Sequence, residues 1–423
     1  MVKSVKYLLL PLFLPGFLWA QQRRELGLDQ AYDLAIKNYP VSKQKNLVRQ
    51  TADINIENLQ KGFLPQVSVS AQATYQSDVT KIDVSFPGFS FEPLSKDQYR
   101  FITDISQLIY DGGVTKQQKE LQQLNALVED QKIDIELYKL KERISQIYLS
   151  ILYLDEQAKQ IDLLKSDINA GIKRVEAQVQ NGVAFKSGLN MLKAELLTTD
   201  QRAIEIRSSR KGLVEALELF LGQPLYENVQ LQKPVLTSFS PVAEIRRPEL
   251  RLYNGQTKLA DQQDKLIDSK NLPRASLFAQ GGYGRPGLNQ LKNGFDFYYT
   301  GGVRFNWSLG GLYTKKKEKE LVEVNKQIVD IQKETFLLRT NTELKQQQSE
   351  IDKLQQLIGA DKEIIRLRES VKETAKAQLE NGVITATDYV REVNAEDQAK
   401  QMQITHQLQL LQAQINYQII SGK

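Results

Sequence analysis

The sequence has no cysteine, a single histidine (His406) and, beyond its first twenty residues, no apolar run of eighteen or more. Each absence removes a class of protein. Without cysteine there are no disulfides and no thiol to carry a lipid at a leader cleavage site, so stability must come from packing. One histidine leaves neither a metal cluster nor a histidine-based nucleophile system. Gly281-Gly282-Tyr283-Gly284 follows a strand pattern but precedes a loop rather than a helix, which excludes a phosphate cradle. No cofactor, metal or catalytic residue is therefore expected, and the chain does not read as an enzyme. The absence of a long apolar run excludes a membrane-spanning helix, so any passage through a bilayer must be made by strands. Charge is nearly balanced, with 56 Lys and Arg against 51 Asp and Glu, a net +5. Without a basic tract or zinc spacing, nucleic acid is not an expected partner.

What is present begins with an address. Lys3 and Lys6 precede an apolar run from Tyr7 to Trp19 that is broken by Pro11 and Pro15, and Ala20 stands before the polar Gln21-Gln22-Arg23-Arg24. Residues 1–20 read as a secretory signal peptide, with Leu18 making the cut site a weak match to the small-x-small rule. Its removal would take away two lysines and leave a net charge of +3.

The rest of the chain says most things twice. Ala177-Gln178-Val179-Gln180-Asn181-Gly182-Val183 returns two hundred positions later as Ala377-Gln378-Leu379-Glu380-Asn381-Gly382-Val383. Each copy interrupts a helical pattern at an Asn-Gly pair, the residue types that most readily enter the left-handed region and reverse the chain. Two tandem repeats are expected over 21–222 and 248–423, joined by a connector at 223–247 that holds Pro224, Pro234 and Pro241. Asn38-Tyr39-Pro40 and Arg246-Arg247-Pro248 occupy matching places, as do Leu64-Pro65 and Leu272-Pro273.

Between those markers the period changes. Val67, Val69, Ala71, Ala73 and Tyr75 alternate with Ser68, Ser70, Gln72, Thr74 and Gln76, which predicts a strand over about 66–77. Its partner is expected at about 98–110, beyond a loop containing Phe86-Pro87-Gly88-Phe89 and Phe91-Glu92-Pro93. The second repeat offers strands at about 274–284 and 297–309, with Tyr299, Val303, Phe305 and Trp307 on one face. Gly112-Gly113 and Gly310-Gly311 end the two strand pairs. Helical periodicity then resumes. From Ile133 to Val179 apolar residues advance by threes and fours with a mean step of about 3.5 residues, a coiled-coil spacing. Helices are expected over about 114–180, 184–221, 312–380 and 384–420, the longest about 100 Å in length.

Four strands cannot close a barrel, since small membrane barrels need about eight. Strands of about ten residues do fit a tilted membrane span. Several chains would therefore each donate four strands, with Ser, Gln, Thr, Arg and Asn toward water and Val67, Val69, Tyr75, Val303, Phe305 and Trp307 toward outer-membrane lipid. Tyr99, Tyr283, Tyr298 and Tyr299 join Tyr75 and Trp307 as candidates for an interfacial aromatic belt. The fold class expected is a mixed membrane α+β protein of two tandem structural repeats. Each gives two strands to an oligomeric transmembrane β-barrel and one long antiparallel coiled-coil hairpin. A soluble periplasmic coiled-coil scaffold without a pore, its strand hairpins forming a small cap, is the alternative.

Signal segment, paired Leu-Pro and Gly-Gly markers, twinned Asn-Gly-Val hairpins and two-fold repeat together resemble the outer-membrane efflux protein (TolC) family, from about Leu28 to Ile420. The resemblance implies a homotrimer with a twelve-stranded barrel in the outer membrane of a Gram-negative bacterium and a periplasmic α-helical barrel. It implies a trimeric channel of a tripartite efflux or type I secretion system, served by a periplasmic adaptor (membrane fusion) protein and an inner-membrane pump of the RND or ABC class. Asn181, Gly182, Val183, Asn381, Gly382 and Val383 become adaptor-docking candidates. Asp388 matches an aspartate that constricts the closed entrance in the family, and Arg391 stands where a second aspartate is found. Three Asp388 carboxylates about 6 Å apart would repel by about 3 kcal/mol per pair at an effective dielectric of about 20. Arg391 would weaken such a ring if it paired with Asp388. Asp388 also suits a helix N-terminus as a solvated first-turn residue. The first repeat has Ser187-Gly188 at the corresponding place.

Overall fold

The computed structural model describes residues 25–80, 93–226, 229–235 and 244–422. The expected signal peptide 1–20, the loop segments Phe86-Pro87-Gly88-Phe89 and Phe91-Glu92, and residues 227–228 and 236–243 of the expected connector lie outside the described residues. In chain order the elements are α1 (Leu28–Asn38), α2 (Gln44–Lys61), β1 (Gln66–Tyr75), β2 (Asp97–Tyr110), α3 (Val114–Gln180), α4 (Lys186–Leu221), α5 (Pro248–Lys270), β3 (Arg274–Arg285), β4 (Asp296–Asn306), α6 (Gly311–Glu380) and α7 (Ala386–Ser421).

Local chemistry accounts for most boundaries. Pro40 fixes its own φ and lacks an N–H, so α1 stops at Asn38 and a short 3-10 turn, Pro40–Lys43, precedes α2. Asp111 caps α3, its carboxylate accepting from the backbone N–H of Gly113 (2.8 Å) and Thr115 (2.6 Å). The heptad residues Ile133, Leu137, Leu140, Ile144, Ile151, Ile161, Leu164, Ile168 and Val175 of α3 are all buried. A 67-residue helix is held by such a seam and not by propensity. One sequence expectation is corrected here. β4 ends at Asn306, three residues before Leu309: its last partner is Arg274, the next in register would be Pro273, which has no N–H, and beyond the ladder the Trp307 indole N–H donates to the Asn271 carbonyl (3.0 Å).

The chain divides into two compact units. The tip unit comprises residues 1–34, 144–237 and 361–405. Its core joins Leu164, Ile168 and Val175 of α3, Leu189 and Leu192 of α4, Ala375 and Leu379 of α6, and Ala386, Tyr389, Val390 and Val393 of α7. Away from that core, Leu26 bridges Leu231 in parallel, and the buried Tyr148 hydroxyl lies against the carbonyls of Leu26 (2.5 Å) and Gln232 (2.7 Å).

The sheet unit comprises 35–143, 238–360 and 406–423. Its four strands are antiparallel in the order β1-β2-β3-β4, which leaves β1 and β4 as edges. Register sorts the side chains by face. Val67 opposes Ile105, Val69 opposes Thr103 and Ala73 opposes Tyr99, while Phe101 opposes Tyr283 and Leu277 opposes Val303. One face is thus apolar and the other carries Ser68, Gln72, Arg100, Asp104, Gln280, Thr300 and Arg304. Gln280 donates to Asp104 across the polar face (3.0 Å). On the apolar face Tyr283 packs on Phe297 and Phe295, with centroids 4.5 and 5.5 Å away. Tyr298 departs from the belt expected for it, because it opposes Gly282 on the polar face and its ring fills the space that glycine leaves.

Beside the sheet, α5 and α6 are tied by a charge ladder. Lys315 and Lys319 meet Asp268 (both 2.9 Å), Lys319 also meets Asp264 (3.1 Å), and Lys326 meets Asp261 (2.6 Å). Hydrogen bonds from Lys319 and Lys315 hold the Asp268 carboxyl below its ordinary range. Further along, Leu344, Ile351 and Leu354 of α6 pack on Ala413 and Tyr417 of α7.

Candidate functional site

The two Asn-Gly reversals are built alike and lie in the tip unit. At the first, Gly182 N–H donates to Val179 O (3.1 Å) and Val183 N–H to Gln178 O (2.8 Å); at the second, Gly382 N–H donates to Leu379 O (3.1 Å) and Val383 N–H to Gln378 O (2.8 Å). These are paired Schellman bonds that satisfy the last carbonyls of α3 and α6. They require a left-handed residue, and φ is +75° at Gly182 and +71° at Gly382. A Cβ at either glycine would meet nothing within 4 Å. Gly182→Ala and Gly382→Ala should therefore each cost only the backbone penalty of about 1–2 kcal/mol, seen as a lower urea midpoint.

The structure brings the two reversals together. Gln178 of α3 donates its side-chain N–H to the Leu379 carbonyl of α6 (2.8 Å), and Arg174 pairs with Glu380. Val183 and Val383 stay exposed, as does Phe185, which precedes α4 with 86% of its surface open. Thr385 holds the place of Phe185 in the second hairpin and does different work. Asp388 N–H donates to Thr385 Oγ1 (3.2 Å), while Asp388 Oδ2 accepts from Thr385 N–H (3.2 Å) and from its hydroxyl (2.7 Å). This is a capping box for α7. Those hydrogen bonds, aided by the Arg391 charge, hold the Asp388 carboxyl below its ordinary range. Its contribution to α7 is present above the ordinary carboxylate value and is lost as pH falls through the lowered one.

Arg391 reaches Asp388 at 3.7 Å and Glu392 at 3.1 Å, and both Arg391 and Glu392 line an open groove with Ser370, Thr374, Gln378 and Ile384. An exposed pair at that distance is weak. Asp388 is thus a capping residue with a cation beside it, and its negative charge is partly answered within one chain.

Behind this lie groups that the sequence did not single out. Tyr389 is buried with its ring on Gly171 of α3, where a Cβ would sit 3.0 Å from the ring. Lys372 meets Asp167 of α3 (3.1 Å) and Glu396 of α7 (3.2 Å), and Lys400 meets Glu396 (2.5 Å) and Glu369 (2.9 Å). Burial alone would lower both lysine pKa values, but the surrounding carboxylates raise them. Burial pushes the Asp397 carboxyl up, against the hydrogen bonds it accepts from Gln160 (3.0 Å) and Gln401 (2.6 Å). Thr385-x-x-Asp388 was open to recognition as a capping signature; the long-range pairs were not.

The remaining predicted site residues belong to the sheet unit and are not gathered with the hairpins. Val67, Val69 and Tyr75 lie on β1, Val303 and Phe305 on β4, at opposite edges of one face, and all five are exposed. Trp307 lies past the end of β4 and not in the strand. Among the described residues no group of His, Asp and Glu is placed to hold a metal. No described helix is long and apolar enough to cross a membrane.

Comparison with known proteins follows the same lines. A family model described as outer membrane efflux protein matches residues 31–223. A search of curated proteins found no match. Among solved structures, the outer membrane protein VceC from Vibrio cholerae superposes with a TM-score of 0.67 at 15% identity, over 93% of this chain and 96% of that one. The CmeC outer membrane channel of Campylobacter jejuni gives 0.65 at 14%, over 93% and 85%. The open-state MtrE outer membrane channel of Neisseria gonorrhoeae gives 0.66 at 13%, over 93% and 88%. Residues 31–223 match the outer membrane efflux protein family model, and the chain has the fold of those outer-membrane channels.

Proposed function

We propose that three copies of this chain form a channel in the outer membrane of a Gram-negative bacterium, a passive gated exit duct of a tripartite efflux or type I secretion system. The observation that carries this reading is the four-stranded sheet with two unpaired edges and one uncovered apolar face. Unpaired edges and an open apolar face are costly in water. Lipid against the face and further copies at the edges remove both costs. The helices that adjoin the two edge strands in the chain support the same assembly. Leu321, Val324, Ile328, Ile331 and Leu338 are exposed on α6, which follows β4 in the chain, and Leu47 and Ile54 are exposed on α2, which precedes β1. From Leu321 to Ile331 the stripe on α6 advances by threes and fours, as a helix-packing seam does, and Leu338 follows seven residues later. Head-to-tail contact of the β4/α6 side with the β1/α2 side of the next copy would close a ring.

In this reading no catalytic step takes place in the channel, and energy comes from an inner-membrane pump of the RND or ABC class. A periplasmic adaptor meets the exposed Val183, Phe185 and Val383 together with Asn181, Gly182, Asn381 and Gly382. The second hairpin is the gate, with Asp388 and Arg391 at its constriction. Because each Asp388 has a cation beside it, cation selectivity there is weaker than a bare carboxylate ring would give.

Planar-bilayer conductance of the purified protein tests the proposal. Discrete channel steps are expected, with Arg391→Ala raising preference for cations and Asp388→Asn lowering it. Recovery of the protein from the soluble periplasm without detergent, or bilayers that stay silent even with a loosened Asn181-Gly182 hairpin, would count against a pore.

A further inference from the structure

Each helix that adjoins a strand carries an exposed lysine at that end. Lys61 closes α2 ahead of β1, Lys116 is in the first turn of α3 after β2, Lys270 closes α5 ahead of β3, and Lys316 is in the second turn of α6 after β4. Lys61 pairs with Glu57 (2.9 Å). Lys116, Lys270 and Lys316 form no ion pair among the described residues, and several carboxylates near them are engaged elsewhere. Asp111 caps α3, Asp268 holds Lys315 and Lys319, and Glu320 takes Lys317. At the opposite end of the sheet two ion pairs form among the described residues, Asp97 with Arg285 and Asp296 with Lys292. The lysine end also exposes large amphipathic and apolar side chains, among them Tyr110, Trp307, Leu309 and Tyr313.

Cations and aromatic rings at one level of a strand bundle suit a boundary between hydrocarbon and charged headgroups. Lysine stems lie along apolar surface while the ammonium stays in water, and indole and phenol rings settle at headgroup depth. We propose that this end of the sheet is a collar for anionic phospholipid headgroups, with Lys116, Lys270 and Lys316 as the headgroup contacts and Trp307 and Tyr313 at the hydrocarbon boundary. The collar rests on the reading above that the sheet spans a membrane. A lysine held near an anionic surface gains about fivefold in local attraction, and three act together.

Trp19 and Trp307 are the two tryptophans of the chain, and because Trp19 lies in the expected signal peptide, Trp19→Phe makes Trp307 the sole indole probe whether or not that segment is removed. The full chain with this change is placed in phosphatidylcholine vesicles containing brominated phosphatidylglycerol or, separately, brominated phosphatidylcholine at the same fraction. At low salt the brominated phosphatidylglycerol should quench Trp307 at least about twice as strongly, and the difference should fade as salt shortens the Debye length. Lys116→Gln, Lys270→Gln and Lys316→Gln together should equalise the two quenchers while leaving quenching itself in place. Equal quenching with the lysines present, or a preference that survives their removal, overturns the collar and leaves the channel standing. Absence of quenching by either lipid overturns the membrane reading and the collar with it.

Discussion

Replacing Lys372 with alanine should lower the stability of the tip unit by about 3 kcal/mol, read as a lower urea midpoint or as faster amide exchange along α3 and α7. The lysine side chain is only 11% exposed and Glu396 only 4%, so this pair is not a surface ion pair that water would replace. Removing one partner of a buried set leaves the others uncompensated, which costs far more than the set contributes net. The low end of the usual range is expected because Lys400 still reaches Glu396. The pH dependence has a definite sign. Carboxylate partners raise Lys372 above its ordinary 10.5, so its contribution is fully present below that value and is lost as pH rises through the raised one. The deficit of the variant should be flat across pH 7–9 and shrink only in strong alkali. A deficit of a few tenths of a kcal/mol at neutral pH would show that the set is hydrated.

A second large effect is expected at the other unit. Ile328→Glu combined with Ile331→Glu should convert a detergent-solubilised trimer into single chains, measured by light scattering corrected for bound detergent. Both side chains are exposed in the isolated protomer and lie on the stripe of α6, the helix that follows the edge strand β4. If a neighbouring copy covers them, losing two isoleucines removes about 4 kcal/mol per interface, about a thousandfold in affinity, before any cost of burying the new carboxylates. A variant that remains trimeric would place the contact on another face of α6 and remove the continuity between sheet edge and helix seam.

Much of the architecture was legible because it rests on short-range periodicity. Steps of threes and fours from Ile133 to Val179 mark α3, and alternation from Val67 to Tyr75 marks β1; both signals come from neighbours in sequence. The end of β4 was not legible. Tyr299, Val303, Phe305, Trp307 and Leu309 share one alternation, but the partner strand begins only at Arg274, after Pro273, and the ladder stops at Asn306. Tyr298 was misplaced for a related reason, since its neighbours in sequence are aromatic while its partner across the strand is Gly282. At the hairpins, the Asn-Gly turns and the Asp388 cap are local features written into a few consecutive residues. Seating Tyr389 on Gly171, or Lys372 between Asp167 and Glu396, joins positions about two hundred residues apart or on separate helices, and neither leaves a trace in spacing.

The open space around the two left-handed glycines has one more consequence. Nothing packs on Gly182 or Gly382, while the helices on either side of each turn share the buried cluster behind it. Continuity of the peptide chain at each turn is therefore dispensable to the packing that surrounds it. A foreign peptide, an epitope tag or a protease recognition sequence inserted between Asn181 and Gly182 should be accommodated as an outward loop, and a cut made there should leave the two arms of the hairpin clasped.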